Sequence, residues 1–238
     1  MAGLSPGHAS LFDDMKRIIF DIETVGHDFD ALEGATQEYL LRYAESDEDA
    51  EKVKDSLSLY PNTAEIVTIG MLDADTGKGW VFFQTPGDML LPFEEDGICY
   101  QCGTELELLE RFWKVMASCG QFITFNGRTF DCPFLLVRSA VNRVKPTRDL
   151  MPNRYYTTHI DLCDQLTFYG AVKRRFSLDM WCRTFGIKSS KEDGISGADV
   201  KDLFHAGRHV EIARYCARDV RATRELLQVW EHYIKKPD

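Results

Sequence analysis

Two acidic residues, Asp21 and Glu23, interrupt the otherwise apolar segment RIIFDIETV that begins at Arg17. The β-branched and aromatic residues of this segment predict a buried strand that ends at Gly26. Side chains two positions apart on a strand point to the same face, and paired carboxylates resist burial unless a cation neutralises them. A divalent metal ion with oxygen ligands is one interpretation. A chance pairing is the other, because the chain contains 38 Asp and Glu residues.

Asp131 follows a second predicted strand at residues 121–126, which Gly127 ends. The pattern beyond it predicts a helix over residues 132–144. An aspartate at the start of a helix ordinarily accepts backbone N–H groups as an N-cap. The alternative is that Asp131 joins the first two acids in one site.

Tyr215 and Asp219 are four residues apart in a long helix predicted over residues 210–233. This spacing places both side chains on one helix face. Taken alone, the pair is typical of a core tyrosine beside a solvated aspartate. The combination of the three segments changes that interpretation. A single α/β chain contains, in this order, an acid pair on a first strand, an aspartate after a later strand, and this pair on a helix.

Cys99 and Cys102 form an isolated C-x-x-C motif. Half of a zinc site or a redox pair is possible in principle, but no second pair completes four zinc ligands, so coincidence is favoured. The seven cysteines are odd in number and irregularly spaced. This pattern indicates reduced thiols in a cytoplasmic protein and no disulfide framework.

The elements that must position these residues follow from the hydrophobic pattern. Five strands are predicted, of which the second and third form a hairpin; they cover residues 17–25, 65–73, 79–85, 121–126 and 159–164. Helices are predicted at residues 104–118, 132–144, 178–185, 198–205 and 210–233. This order favours an α/β fold in which helices flank a mixed sheet.

Residues 1–238 are expected to form a single domain, because neither a linker nor a repeat divides them. Residues 28–60 are acidic and lack apolar periodicity, so we expect a polar insertion with short helices. The first 17 residues lack the pattern of a signal peptide. No apolar stretch is long enough for a membrane span.

These segments resemble the motifs of the DEDD 3′–5′ exonucleases of the DnaQ-like, RNase H-like superfamily. Asp21-Ile22-Glu23-Thr24 resembles the first motif, residues 126–131 the second, and residues 215–219 the third in its Y-x-x-x-D form, typical of the tyrosine (DEDDy) subgroup. The stand-alone predicted 3′–5′ exonucleases related to PolB are the most similar, also in residues 191–197. The resemblance spans roughly residues 17–233 but not the 28–60 insertion.

This resemblance implies the RNase H-like fold, with a mixed five-stranded sheet flanked by helices. It also implies two divalent metal ions, Mg²⁺ or Mn²⁺. Asp21, Glu23 and Asp219 would hold the first ion. Asp21 would bridge to the second, which Asp131 would support through water. Tyr215 would orient the attacking water, since its ordinary pKa of about 10 makes it a poor base.

The expected substrate is the 3′ end of single-stranded nucleic acid, DNA in preference to RNA. Thr24, Asn126 and Phe130 flank the motif acids and are candidates to contact the terminal nucleotide, although for Phe130 a place in the core is favoured. The basic run at residues 173–175 is either a solvated surface or a track for the strand.

Taken as a single number, the formal net charge of −10, from 28 Lys and Arg against 38 Asp and Glu, argues against a nucleic-acid partner. Charge is unevenly distributed, however. Residues 138–224 contain 17 basic and 10 acidic residues, a balance of +7, so the remainder carries −17. The distribution favours an enzyme that trims ends with the help of metal ions over a protein that coats duplex DNA.

The sequence thus predicts a metal-dependent 3′–5′ exonuclease that releases nucleoside monophosphates. Among enzymes, the alternative is an RNA-trimming exoribonuclease, because no residue in the sequence indicates whether the 2′-hydroxyl is recognised. A catalytically weak nucleic-acid-binding module on the same fold is a second, and a zinc or redox protein using the C-x-x-C motif is a third. The sequence indicates no membrane partner and identifies no polymerase or repair partner.

Overall fold

The computed structural model describes residues 17–87, 90–189, 191 and 194–236. The segment before Arg17, in which the signal-peptide pattern is missing, lies outside these residues. The strands of the described residues are β1 Arg17–Gly26, β2 Ala64–Asp73, β3 Gly79–Gln84, β4 Phe93–Glu95, β5 Ile98–Gly103, β6 Gln121–Thr124 and β7 His159–Asp161. They form one sheet in the order β4-β5-β3-β2-β1-β6-β7.

The sheet is mixed, as predicted, but it has seven strands where the sequence predicts five. β1 pairs antiparallel with β2 and parallel with β6, and β2 and β3 form the predicted hairpin. The two additional strands are β5, which pairs parallel with β3, and β4, which pairs antiparallel with β5. β4 has three residues and β5 carries no clear alternation. β4 therefore depends on its pairing with β5, and β5 on its pairing with β3, and local periodicity reveals neither pairing.

Helices cover both faces of the sheet. The α-helices of the described residues are α1 Gly34–Leu41, α2 Asp47–Asp55, α3 Glu105–Met116, α4 Asp131–Val141, α5 Leu162–Leu166, α6 Leu178–Phe185, α7 Val200–His205 and α8 His209–Tyr233. α3 and α4 pack with one buried cluster, whereas α6 and α8 pack with the cluster on the opposite side. None of these helices is long and apolar enough to cross a membrane.

The C-x-x-C motif lies within β5. Residues three apart on a strand face opposite sides of the sheet. Cys99 accordingly joins the cluster under α3 and α4, while Cys102 joins the one under α6 and α8. The two thiols therefore cannot ligate one zinc ion or form a disulfide, and all seven cysteines are free and buried.

The acidic insertion forms short polar helices, as expected. It consists of α1 and α2 with 3₁₀ turns at Phe29–Ala31 and Ser56–Leu59. Leu57 anchors the second turn in the interior. Gly26, at the end of β1, permits this approach, because a Cβ there would lie 2.8 Å from the Leu57 Cβ. The insertion is thereby fixed beside the end of β1 that carries the acid pair.

Candidate active site

Asp21 and Glu23 lie near the middle of the sheet on β1, where they oppose Gly70 and Thr68 of β2. Glu23 is buried and Asp21 is partly buried. The pKa of each carboxyl is raised well above its ordinary value, first by burial and then by the negative charges of Asp131 and Asp219. The pair thus belongs to a cluster of four buried or partly buried acids.

Asp131 is the first residue of α4 and is fully enclosed. It is not the N-cap, since Phe130 occupies that position. Its Oδ1 instead accepts the backbone N–H of Ile22 at 3.1 Å, which ties the start of α4 to the strand between the first two acids. Burial raises the pKa of Asp131 to about 7, although backbone hydrogen bonds oppose the shift.

Tyr215 and Asp219 are one turn apart in α8, and both are buried. Their side chains are hydrogen-bonded to each other. Burial, followed by the negative charges of Glu23 and Asp219, raises the pKa of Tyr215 far above its ordinary value. The hydroxyl therefore keeps its proton at neutral pH. Helix α8 packs against β1 and β2, and this packing brings the third motif to the first.

Cys216, which sequence reasoning did not assign to the site, lies against Asp21. Its sulfur is 3.6 Å from the Asp21 carbonyl oxygen and 3.9 Å from Asp21 Oδ2. Asp21, Glu23 and Cys216 offer ligand atoms within 4.8 Å of one another. The i, i+3 spacing between Cys216 and Asp219 is the signal in the sequence that points to a shared helix face.

Lys191 is a second residue that sequence reasoning did not assign to the site. Its positive charge lowers the pKa of Glu23, in opposition to the larger effects of burial and the other acids. It belongs to the segment 191–197 that resembles the exonuclease subfamily. Residues 192 and 193 of that segment lie outside the described residues.

The chemistry of the donors fits divalent cations. Four carboxylates carry a formal charge of −4 when ionised, and burial makes this charge costly without a counter-ion. Carboxylate oxygens are the ligands that Mg²⁺ and Mn²⁺ prefer. Asp21 and Glu23 have ligand atoms within 4.8 Å of each other and of Cys216. The charges of Asp131 and Asp219 act on both Asp21 and Glu23. The arrangement can therefore bind cations and, through them, an anionic substrate.

The three residues expected to touch the substrate have different surroundings. Thr24 directs its hydroxyl to the carbonyl oxygen of Ser58 at 2.7 Å, so the insertion occupies its polar group. Phe130 packs against the core and contacts the Phe134 ring at 5.4 Å between centroids. Asn126 is partly exposed in the loop before α4 and adopts a left-handed backbone, with φ 63°.

Asp161, at the end of β7, holds the loop that contains Asn126. Its carboxylate accepts the backbone N–H groups of Asn126 and Arg128, each at 2.9 Å, and also caps α5. The sequence motif did not identify this residue. It positions the second motif from the neighbouring strand, because β6 and β7 are parallel and end at the same edge of the sheet.

Comparison with known proteins identifies a family that the sequence matches. Residues 97–227 match a family model described as a predicted 3′–5′ exonuclease related to the exonuclease domain of PolB. This range contains Asn126, Asp131, Tyr215 and Asp219, but not the acid pair on β1.

A solved structure has a similar fold: the family B DNA polymerase from the hyperthermophilic archaeon Pyrobaculum calidifontis. The TM-score is 0.53, and 19% of residues are identical. The similarity covers 97% of this chain but 25% of the polymerase. No curated protein matches the chain. The fold is thus that of a mixed α/β sheet with helices on both faces, as the RNase H-like resemblance implied.

Proposed function

Because the chain belongs to the family of predicted 3′–5′ exonucleases related to the exonuclease domain of PolB, we propose that it removes nucleoside monophosphates from the 3′ end of single-stranded DNA. The observation that carries this proposal is the convergence of four acids and one tyrosine from β1, α4 and α8. The charges of Asp131 and Asp219 reach both acids of β1, although these residues are more than 100 positions away in the sequence.

The acids are proposed to hold two divalent metal ions, Mg²⁺ or Mn²⁺. Asp21, Glu23 and Asp219 would ligate one ion, and Asp21 and Asp131 would serve the other. When bound, such ions polarise the scissile phosphate, lower the pKa of water and stabilise the leaving 3′ oxygen. The role of the protein is to fix four carboxylates in one cluster. β1 does this for two of them, and the hydrogen bond from Ile22 N–H to Asp131 fixes a third.

Tyr215 is proposed to position the attacking water. The raised pKa of Tyr215 excludes the phenolate as a base at neutral pH. A protonated hydroxyl that donates to Asp219 can still accept a hydrogen bond from the water and hold it in line with the phosphate.

At the 3′-terminal nucleotide, Asn126 is proposed to contact the substrate, because it is partly exposed and does not pack into the core as Phe130 does. Phe130 would contribute the edge of a core-packed ring. Thr24 would contribute its backbone or methyl group, since its hydroxyl is bonded to Ser58.

DNA is the proposed substrate because the fold is similar to that of a DNA polymerase, of which the chain spans a quarter of the length. Two further points complete the proposal. Residues 1–238 act as a single exonuclease domain, which the single sheet of the described strands supports. The protein works in the cytoplasm, where its seven free thiols stay reduced.

A nuclease assay tests the proposal. Single-stranded DNA and RNA, labelled at either end, are incubated with the protein and Mg²⁺ or Mn²⁺, and then with EDTA. We expect stepwise shortening from the 3′ end of DNA that EDTA abolishes. Asp21→Asn should reduce the rate at least about 100-fold, or about 2.7 kcal/mol of transition-state stabilisation.

Asp96→Asn is the matched control, because the Asp96 side chain is 84% exposed and has a backbone φ of 50° that asparagine tolerates. This variant should retain full activity. Cleavage that survives EDTA or begins at the 5′ end would contradict the mechanism. Faster cleavage of RNA would favour the exoribonuclease, and binding without cleavage would favour a non-catalytic module.

A further inference from the structure

Exposed aromatic rings and arginines cluster on the two segments that flank β7, outside the acid cluster. Tyr155 is 67% exposed and Tyr169 is 37% exposed, and their ring centroids lie 5.0 Å apart. The Arg154 guanidinium lies over the Tyr169 ring at 5.6 Å. With Arg175, these residues form what we call the aromatic–arginine surface. A contiguous group of exposed rings is typical of an interaction surface.

The backbone keeps these rings at the surface at an energetic cost. Phe168 and Tyr169 are consecutive residues with φ of 49° and 56°, a left-handed conformation that costs on the order of 1 kcal/mol or more per non-glycine residue. Thr167 holds the turn by accepting the N–H groups of Gly170 and Val172, each at 3.0 Å. Phe168 is consequently 58% exposed beside Tyr169.

Positive charge accompanies the rings. Arg154 and Arg175 both contact Oδ1 of the buried Asp164, at 2.8 and 3.0 Å. Residues 154–176 contain four basic residues and two aspartates, a balance of +2 in a chain of net charge −10. Both aspartates, Asp161 and Asp164, are buried. The exposed charge of this segment is therefore positive.

The surface is continuous with the candidate active site. Arg175 also donates to Oδ1 of Asn126 at 2.8 Å, and Asn126 lies in the loop that leads to Asp131. From there the surface follows β7, the edge strand of the described sheet. At its far end, Tyr155 and Tyr169 line a cleft of about 540 Å³.

We propose that the aromatic–arginine surface binds the single-stranded segment that precedes the 3′-terminal nucleotide. Bases would stack on Tyr155 and Tyr169, and phosphates would contact the arginines, a combination that binds single strands without sequence preference. This inference rests on the proposed function, because it takes the polynucleotide to be the substrate of the adjoining acids. It assigns binding of the single-stranded nucleic acid to residues outside the three motifs.

Binding and turnover test the proposal separately. Binding of 5′-fluorescein-labelled dT12 is measured by fluorescence anisotropy in EDTA, where the strand is not cleaved. Tyr155→Ala combined with Tyr169→Ala should weaken binding by about tenfold or more, the loss expected for removed base–aromatic stacking. The corresponding double substitution to Phe should retain the affinity, because the phenyl ring also stacks.

The insertion provides a matched control. Tyr39 and Tyr43 are 60% and 79% exposed, and Arg42 lies over their rings at 4.2 and 4.6 Å. Replacing both with Ala removes two exposed tyrosines beside an arginine from the acidic part of the chain. The affinity for dT12 should then change less than twofold. Melting temperatures verify that every variant is folded.

Turnover is compared on two substrates. The p-nitrophenyl ester of thymidine 5′-monophosphate occupies only the terminal position, so the Tyr155 and Tyr169 double Ala variant should hydrolyse it as the wild type does. With dT12, the same variant should show a KM raised about tenfold and an unchanged kcat. If the wild type does not hydrolyse the ester, the proposed function is contradicted, whereas the surface assignment is judged from the binding of dT12. Unchanged dT12 affinity in the variant, equal loss in the control, or no wild-type binding would overturn the surface assignment.

Discussion

Burial affects the acids and the tyrosine of the site in different ways. Asp21 and Glu23 carry negative charge into a region with little water and near other acids, so their pKa values rise. A cation is the natural counter-charge for such a cluster. Tyr215 is neutral at physiological pH and needs only a hydrogen-bond partner, which Asp219 supplies. The acids are thus suited to bind cations, and the tyrosine is suited to fix the position of a neighbouring group.

Tyr215→Phe tests this division of roles. The substitution removes one hydroxyl and keeps the buried ring, so the fold should persist. We expect kcat to fall about 100-fold through loss of water positioning, with Mn²⁺ affinity unchanged within twofold. Steady-state kinetics on dT12 and calorimetric titration with Mn²⁺ measure the two effects.

Tyr100→Phe is the control, because Tyr100 is equally buried but stacks on Phe93 at 4.7 Å between ring centroids, in β5. Its kcat should match that of the wild type. Unchanged turnover in Tyr215→Phe would remove the hydroxyl from the mechanism. Loss of Mn²⁺ affinity would show that the tyrosine supports Asp219 and not the water.

At the level of elements, the site depends on how closely α8 approaches the sheet. Gly70 of β2 lies opposite Asp21. A Cβ on this residue would meet the Cys216 sulfur at 2.8 Å and Val220 Cγ1 at 3.2 Å. The missing side chain lets α8 carry Tyr215 and Asp219 up to β1. Glycine is needed at this position because α8 lies so close to β2. Its backbone is not in the left-handed region, so conformational freedom is not the reason.

Gly70→Ala should therefore destabilise the protein by about 1–3 kcal/mol, the usual cost of overpacking, and should lower kcat/KM by moving α8. Combining it with Cys216→Ala removes the sulfur that the new methyl group meets. The double variant should be more stable than the sum of the two single effects predicts. Urea unfolding of all three variants measures this coupling.

Gly34→Ala is the matched control, since nothing lies within 4 Å of a Cβ at Gly34, the first residue of α1. It should be neutral or stabilise the protein by up to about 1 kcal/mol, because alanine favours helix. If Gly70→Ala and Gly34→Ala destabilise the protein equally, the contact with Cys216 is not the cause of the loss in Gly70→Ala.

At the level of the whole molecule, charge is separated in the chain. The acidic excess lies outside residues 138–224, which carry a balance of +7. Within the site, acids accumulate where metal ions are proposed to bind. Net charge alone therefore misrepresents the affinity for nucleic acid, because binding depends on where the charges are and which ions accompany them.

The clustered acids also predict how stability depends on pH. Burial raises the pKa of Asp131 to about 7, and those of Asp21 and Glu23 also rise. A carboxyl with a higher pKa in the folded state binds its proton more tightly there. The free energy of unfolding without metal should therefore fall as pH rises from about 4 through the folded-state pKa.

Divalent ions should reverse this loss. At concentrations about 100-fold above Kd, binding adds about 2.7 kcal/mol, or about 5–10 °C in Tm for a chain of this length. We expect a larger increase with Mn²⁺ at pH 8 than at pH 5.5, where protons compete for the carboxylates. Melting curves with EDTA and with Mn²⁺ measure it. Asp21→Asn should abolish most of the increase; a larger increase at pH 5.5 would contradict the assignment of the acids.

Sequence patterns predicted five of the seven described strands, most helices and the motif residues. Periodicity located β1, β2, β3 and most helices, since amphipathic patterns are local. The Thr104–Glu107 pattern forms the expected capping box at α3. The acids stood out because charge in an apolar strand is physically costly. The assignment of these residues to catalysis came from their order in the chain and its resemblance to a family of nucleases.

The tertiary structure established the features that depend on strand pairing and on packing. It added β4 and β5, whose strand character comes from pairing, and separated Cys99 from Cys102 across the sheet. It showed that Asp131 bonds to β1 instead of capping α4, and it brought Cys216 against Asp21. These outcomes depend on strand pairing and on side-chain contacts that form only when the chain packs, and local propensity carries no information about either.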